Sequence, residues 1–401
     1  MFDFETLWDR RGHDALAVDT LGTGMAPDAP REGFDAIPMW VADMSFATAP
    51  SVTRALRERM EHPLYGYFTP SDAYFDAICR WQSERNGVRG LKPVHIGYEN
   101  GVLGGLLSAV GALCEHGASI LIHSPTYGGF THSLTNAGYT LVHSPLLPDA
   151  QGVFRMDLAD MESKIVENGI RVAVFCSPHN PTGRVWERWE VETAMELFRK
   201  HGVHVVSDEI WSDLLLFGHR HVPTQSVSED ARMRTVALYA PSKTFNLAGL
   251  VGSYHIIYND ELRARVEQVA SLSHYNNVNA LSVHALIGAY SDGGAAWLGE
   301  LLSVLGQNVE EACRYFSERT PDIFFSRPQG TYMLFLDVRR YLQTRGMTLS
   351  QLLKRGWDVG VAWQDGRQHG GTEHIRLNLA LPTARLREVF SRLDTYVFTE
   401  N

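Results

Sequence analysis

Four short runs of β-branched and apolar residues, each ending abruptly in a polar segment, constrain this 401-residue chain more than any other feature. They are Ser119 to His123 (SILIH), Val172 to Cys176 (VAVFC), Val203 to Ser207 (VHVVS) and Thr235 to Tyr239 (TVALY). The segments that follow them are SPTYGG, SPHNPTG, DEIW and APSKTFN. Longer stretches with helical spacing lie between the runs from about residue 95 to about residue 255, the mark of βα units and a mostly parallel sheet. Open α/β sheets bind their ligands beyond the carboxyl ends of the strands, so the four polar segments are expected to converge on one crevice.

After Tyr254 the spacing changes. Glu261 to Gln307 reads as mainly helical, with a break at the Ser291-Asp292-Gly293-Gly294 turn. From Pro321 onward, the strand-like TYMLFLDV and HIRLNLAL flank a helical Leu349 to Arg355, as in a smaller α+β domain. The expected organisation is an α/β fold with a large domain over residues 46–285, its mostly parallel central sheet flanked by helices. A small C-terminal domain spans 286–401, and the N-terminal segment 1–45 packs with it.

The residues delivered to the crevice indicate what it holds. Lys243, just beyond a strand in APSKTF, offers an amine, although a loop lysine is most often a solvated charge. Asp208, directly after VHVVS, puts a carboxylate at a strand end, where the plain alternative is a helix N-cap. Asn180 in SPHNPTG offers either an amide or a simple Asn-Pro turn. Gly101 and Val102 open the apolar helix of NGVLGGLLSAVGAL and leave backbone amides for an anion, with the Ser242 hydroxyl nearby; glycines there also serve helix packing. Tyr127 in PTYGG would stack on a flat ligand or lie half-buried in its loop. Arg376, alternating with apolar residues in EHIRLN, would clamp a carboxylate or make an ion pair. Together these groups are what pyridoxal 5'-phosphate (PLP) requires: an amine for its aldehyde, a carboxylate to keep its ring protonated, a phosphate cradle and a stacking aromatic.

Charge and composition narrow the partners. With 36 Lys and Arg against 46 Asp and Glu, the net charge of -10 excludes a basic footprint for nucleic acid. No apolar run is long enough to span a membrane, and Met1 to Arg10 lacks the basic start and apolar stretch of a secretory signal, so a cytoplasmic protein is expected. The four cysteines are scattered without a C-x-x-C pair, and Cys176 with its apolar flank reads as an inert buried thiol. His219 and His221, at alternate positions of a presumed strand, lack a third ligand, so they read as structural and no metal is expected.

Read in order, the NGV helix start, SPTYGGF, SPHNPTGRVW, VVSDEIWSDL, APSKTFNLAGL and HIRLNLA resemble the fold-type I, aspartate-aminotransferase superfamily of PLP enzymes. The likeness is greatest to the MalY/PatB-type carbon-sulfur β-lyases, or cystathionine β-lyases, through PMWVADM (38–44), YGY (65–67), PHNP (178–181), GHRH (218–221), SKTFNLAG (242–249) and GTY (330–332). This resemblance implies that Lys243 carries the cofactor and shuttles the proton, Asp208 pairs with the pyridine nitrogen, Tyr127 stacks, and Asn180 and Trp211 approach the phenolic oxygen. Gly101, Val102 and Ser242 would hold the phosphate with Tyr67 from a partner subunit, which implies a homodimer with shared active sites. Arg376, Asn180, Trp40 and Ala42 would bind the amino-acid substrate. The implied reaction is α,β-elimination from L-cystathionine or a related cysteine S-conjugate, with transamination of an L-amino acid, or regulation through a protein partner, as alternatives. Three positions depart from the pattern. Trp211 replaces a Tyr or His, Val251 replaces the phosphate-binding Arg of aspartate-type aminotransferases, and His369 stands where relatives carry an aromatic residue near the substrate entrance.

Overall fold

The computed structural model describes residues 1–272 and 277–399. A two-residue strand, β1 (Ile37–Pro38), precedes the main sheet. That sheet comprises β2 (Ile96–Glu99), β3 (Ser119–Ser124), β4 (Thr140–Pro148), β5 (Phe154–Met156), β6 (Val172–Cys176), β7 (His204–Asp208), β8 (Thr235–Tyr239) and β9 (Ser253–Ile256). Their order in space is β2-β9-β8-β7-β6-β3-β4-β5. The run from β4 through β3, β6 and β7 to β8 is parallel, while β9 and β5 add antiparallel edges. The protein thus has the expected α/β architecture.

Burial on both faces explains the unbroken apolar runs. β6 and β8 are buried at every position. Side chains alternate between two helical layers: Ile120 and Ile122 pack with the helices Val102–Leu113 and Asp260–Ser271, whereas Leu121 packs with Leu158–Glu167 and Arg188–Lys200. All four strands that carry the polar segments end on the same edge of the sheet, which brings those segments together.

The remaining strands are β10 (Phe324–Phe325), β11 (Met333–Asp337), β12 (Val361–Ala362), β13 (Gln364–Asp365) and β14 (His374–Asn378). An antiparallel sheet of order β10-β11-β14-β13 forms beside the main one, and β1 pairs in parallel with β12. The helical reading of 261–307 resolves into Asp260–Ser271, Ala280–Ala289 and a long helix Asp292–Arg319, with residues 273–276 outside those described. Asp292, Gly293 and Gly294 are not the expected turn but the first turn of the long helix. Ser291 caps it, its Oγ accepting from Gly294 N at 3.2 Å. The histidine pair also departs from expectation, because residues 217–221 form a turn rather than a strand. His221 is buried, with Nε2 2.6 Å from Glu209 Oε2.

One segment ties the two sheets together. Residues 39–46 cross between them, gripped on one side by Asn378, whose Nδ2 donates to the Val41 carbonyl at 2.7 Å and the Asp43 carbonyl at 2.5 Å. On the other side Asn246 accepts from Met44 N at 3.0 Å and donates to the carbonyls of Met44 and Phe46 at 3.0 and 3.1 Å. Asn246 has a φ of +57°, a left-handed conformation that asparagine tolerates better than most residues. Replacing Asn246 by Ala strips three hydrogen bonds from one strap and is expected to cost about 2–4 kcal/mol, read as a lower thermal midpoint with earlier proteolytic cleavage near residues 40–46.

Candidate active site

A cavity of about 210 Å³ opens where the strand ends meet the strap. Ala42, Gly101, Val102, Tyr127, Asn180, Asp208, Trp211, Ser242 and Lys243, all singled out from the sequence, line it. Each arrives from a different element. Tyr127 precedes the helix Gly128–Asn136 after β3, Asn180 lies in the loop after β6, Asp208 is the last residue of β7, and Ser242 and Lys243 follow β8. Gly101 caps the helix Val102–Leu113 with a φ of +83°, a conformation that an L side chain rarely adopts.

Charges in this cavity are taken out of water and only partly compensated. Burial raises the Asp208 carboxyl to about 7, against the opposing pull of the Ile210 N–H, which it accepts at 3.0 Å, and of the Lys243 ammonium. Burial lowers the Lys243 amine to about 8, helped by the Arg376 charge and opposed by Asp43 and Asp208. Lys243 Nζ donates to the Ala42 carbonyl at 2.9 Å, and the Tyr332 hydroxyl donates to the same oxygen at 3.1 Å. Trp211, buried, lies with its ring centroid 5.9 Å from that ammonium and meets Tyr332 edge-on at 4.8 Å.

Arg376 stands on β14 at the flank of the cavity. It is 2% exposed, donates to Asn180 Oδ1 at 3.1 Å and to the Trp40 carbonyl at 2.8 Å, and leaves its Nε without a partner. The ion pair that an inward arginine usually makes is missing: among the described residues it meets only amide oxygens. Burial lowers it to about 10, so it still carries its charge at neutral pH. A buried cation without an anion is costly unless a ligand supplies one.

Other residues fall elsewhere. Tyr67 stands fully exposed on the loop between the helices Pro50–Glu61 and Asp72–Asn86, outside the cavity of its own chain. Trp40 contributes its carbonyl to Arg376 while its indole donates to the Ala17 carbonyl at 3.0 Å. Cys176 lines the cavity as a buried thiol pushed well up by burial. Val251 also lines it, in a left-handed conformation at a φ of +40° that is strained for a β-branched residue. His369 is not at an entrance but buried behind Tyr127. Sequence reasoning assigned no role to Tyr332, Asn378, Asn246 or Gln364. Each sits in a strand or loop where only contact across the fold reveals its side-chain partner.

Comparison with known proteins places the chain. The aminotransferase class I and II family model matches residues 35–393. The chain belongs to that family. It is 37% identical over 361 residues to cystathionine beta-lyase PatB of Bacillus subtilis (strain 168), covering 90% of this chain and 92% of that protein. With protein MalY of Escherichia coli (strain K12) it shares 30% identity over 397 residues, 97% of each chain. The PLP-bound C-S lyase from Staphylococcus hominis superposes with a TM-score of 0.88 at 28% identity, over 98% of this chain and 97% of that one.

The buried carboxylate gives a pH-dependent prediction. Because the folded pKa of Asp208 lies above its ordinary 3.8, the unfolded chain loses that proton first, and stability falls as pH rises from about 4 to about 7. In protein without added cofactor, Asp208→Asn is therefore expected to raise the thermal midpoint at pH 8 and leave it nearly unchanged at pH 4, as measured by calorimetry at both values.

Proposed function

We propose that this protein is a PLP-dependent carbon-sulfur β-lyase that splits L-cystathionine or a related cysteine S-conjugate, with water, into a thiol, pyruvate and ammonia. The observation that carries the reading is the buried Arg376 guanidinium, unpaired with any carboxylate among the described residues, beside the cavity that Lys243 and Asp208 share. Such a cation suits the carboxylate of an amino acid, and the resemblance to PatB and the C-S lyase supports the choice of reaction.

The cavity residues fit PLP. Asp208 would face the ring nitrogen, where a protonated pyridine would offset the cost of its buried charge. Lys243 would take the aldehyde, Asn180 and Trp211 would border the phenolic oxygen, and Tyr127 would stack on the ring. The amides at Gly101 and Val102, at a helix start, and the Ser242 hydroxyl would hold the phosphate. When bound, PLP supplies the electron sink that spreads the charge left at the substrate α-carbon.

The chain's own residues do the rest. Arg376 binds the substrate carboxylate beside the peptide groups of Trp40 and Ala42, and this anchoring decides which α-carbon bond stands ready to break. Lys243, lowered to about 8, supplies a useful fraction of neutral amine near neutral pH and removes the α-proton. Lost with that proton's electrons redistributed, the β-carbon to sulfur bond releases the thiolate. Val251, in place of an arginine, leaves the phosphate charge to the helix start and favours the lyase over an aspartate-type aminotransferase. The exposed Leu64, Tyr65 and Tyr67 suit burial against a second copy, with Tyr67 completing the partner's phosphate site in a homodimer.

The test is incubation of the PLP-loaded protein with L-cystathionine and no keto acid. Thiol and pyruvate in equal amounts are expected; accumulation of pyridoxamine phosphate without thiol would establish an aminotransferase instead. Lys243→Ala is expected to lose both turnover and the label that borohydride reduction fixes on the wild type. Arg376→Lys is expected to lower kcat/KM about 100-fold, because a point charge cannot replace the planar fork.

A further inference from the structure

His369 lies outside the cavity lining, yet its ring stands near-parallel to that of Tyr127, with centroids 6.3 Å apart and planes inclined by 24°. Its Nδ1 is 3.3 Å from the Gly128 N–H and 3.2 Å from the Thr126 carbonyl, and its Nε2 is 3.1 Å from Gln364 Oε1. A single proton decides among these contacts. On Nε2 it lets that nitrogen donate to Gln364 while Nδ1 accepts from Gly128. Gln364, so oriented, donates from Nε2 to Gln368 Oε1 at 2.8 Å, and the chain of donors runs in one direction. A proton on Nδ1 would leave the Gly128 N–H unanswered and set the Nε2 lone pair against the Gln364 oxygen. Burial, with the Arg376 charge nearby, also keeps the ring neutral.

The surrounding packing has room for no other arrangement of these parts. A Cβ on Gly128 would lie 2.3 Å from the Gln368 carbonyl oxygen, and one on Gly129 would lie 2.3 Å from Tyr127 Cε1. The 366–369 turn and the Tyr127 loop therefore touch through bare backbone, and Thr126 N donates to the His369 carbonyl at 2.9 Å. Gln364 is the direct cross-strand partner of Arg376, so the strand pair that carries the guanidinium also carries the histidine relay.

We infer that His369, as the neutral Nε2–H tautomer, is a positioning residue that fixes the plane of Tyr127 and locks it to the strand pair bearing Arg376. The inference rests on the reading of Tyr127 as the ring that stacks on PLP. His369→Phe keeps a ring against Tyr127 but removes both hydrogen bonds, whereas His369→Asn restores an acceptor where Nδ1 stands.

The experiment compares the PLP-loaded wild type and variants by visible circular dichroism of the bound cofactor, without substrate, and by steady-state kinetics with L-cystathionine. In His369→Phe the visible band is expected to lose about half its amplitude and kcat to fall about tenfold, the scale of one buried hydrogen bond, with KM changed less than about twofold. His369→Asn is expected to recover most of the band. A folded His369→Phe with wild-type band and kcat overturns the inference. If that variant does not fold, the near-isosteric Gln364→Met carries the same test: a reduced band supports the relay and an unchanged band overturns it. A wild type that shows no visible band with PLP would instead sink the proposed function, a separate outcome.

Discussion

The carbonyl oxygen of Ala42 is the point on which the active site turns. It accepts from Lys243 of the large sheet's loops and from Tyr332, just before β11 of the smaller sheet, at 2.9 and 3.1 Å. Three remote parts of the chain thus meet at one acceptor. The strap that carries it is held by two asparagines whose side chains satisfy five backbone groups between them, so the carbonyl stays where a mobile lysine can find it. Were the strap loose, the amine would have no fixed partner and the wall formed by Ala42 would not exist.

This arrangement holds several charges in a setting that works against them. The carboxyl of Asp208, the amine of Lys243 and the guanidinium of Arg376 are all shifted toward their neutral forms by burial. Each shift is a cost to the folded chain, and each becomes useful once an oppositely charged or reactive group arrives. The neutral ring of His369 follows a different logic. It is sealed between backbone amides and an amide side chain, and it contributes shape and direction rather than charge.

Much of this was legible in the residues. The four apolar runs match β3, β6, β7 and β8 to within one residue at either end, because strands buried on both faces leave no polar positions to blur them. Polar segments at their carboxyl ends gave Tyr127, Asn180, Asp208, Ser242 and Lys243 as neighbours, and the structure puts all five on one cavity. Less legible were features created by distant contacts. Ser291 and the two glycines after it read equally as a turn or as a capped helix start, and only the Ser291 Oγ bond to Gly294 N distinguishes them. The role of Asn378 depends on a partner more than three hundred residues away, for which no local pattern exists. His369 was placed near an entrance by analogy of position, whereas its surroundings are set by the two glycines after Tyr127.

The strap also sets an order of assembly. Residues 39–46 leave the ribosome early, the loop that carries Asn246 follows some two hundred positions later, and β14 with Arg376 and Asn378 comes close to the end. The parallel sheet has all its strands well before that, so its layers have the means to pack during synthesis. The pocket does not. Its front wall stays unfastened until the last strand emerges, and the nascent chain is therefore spared a half-built site that would capture a reactive aldehyde before the rest of the enzyme exists to control it.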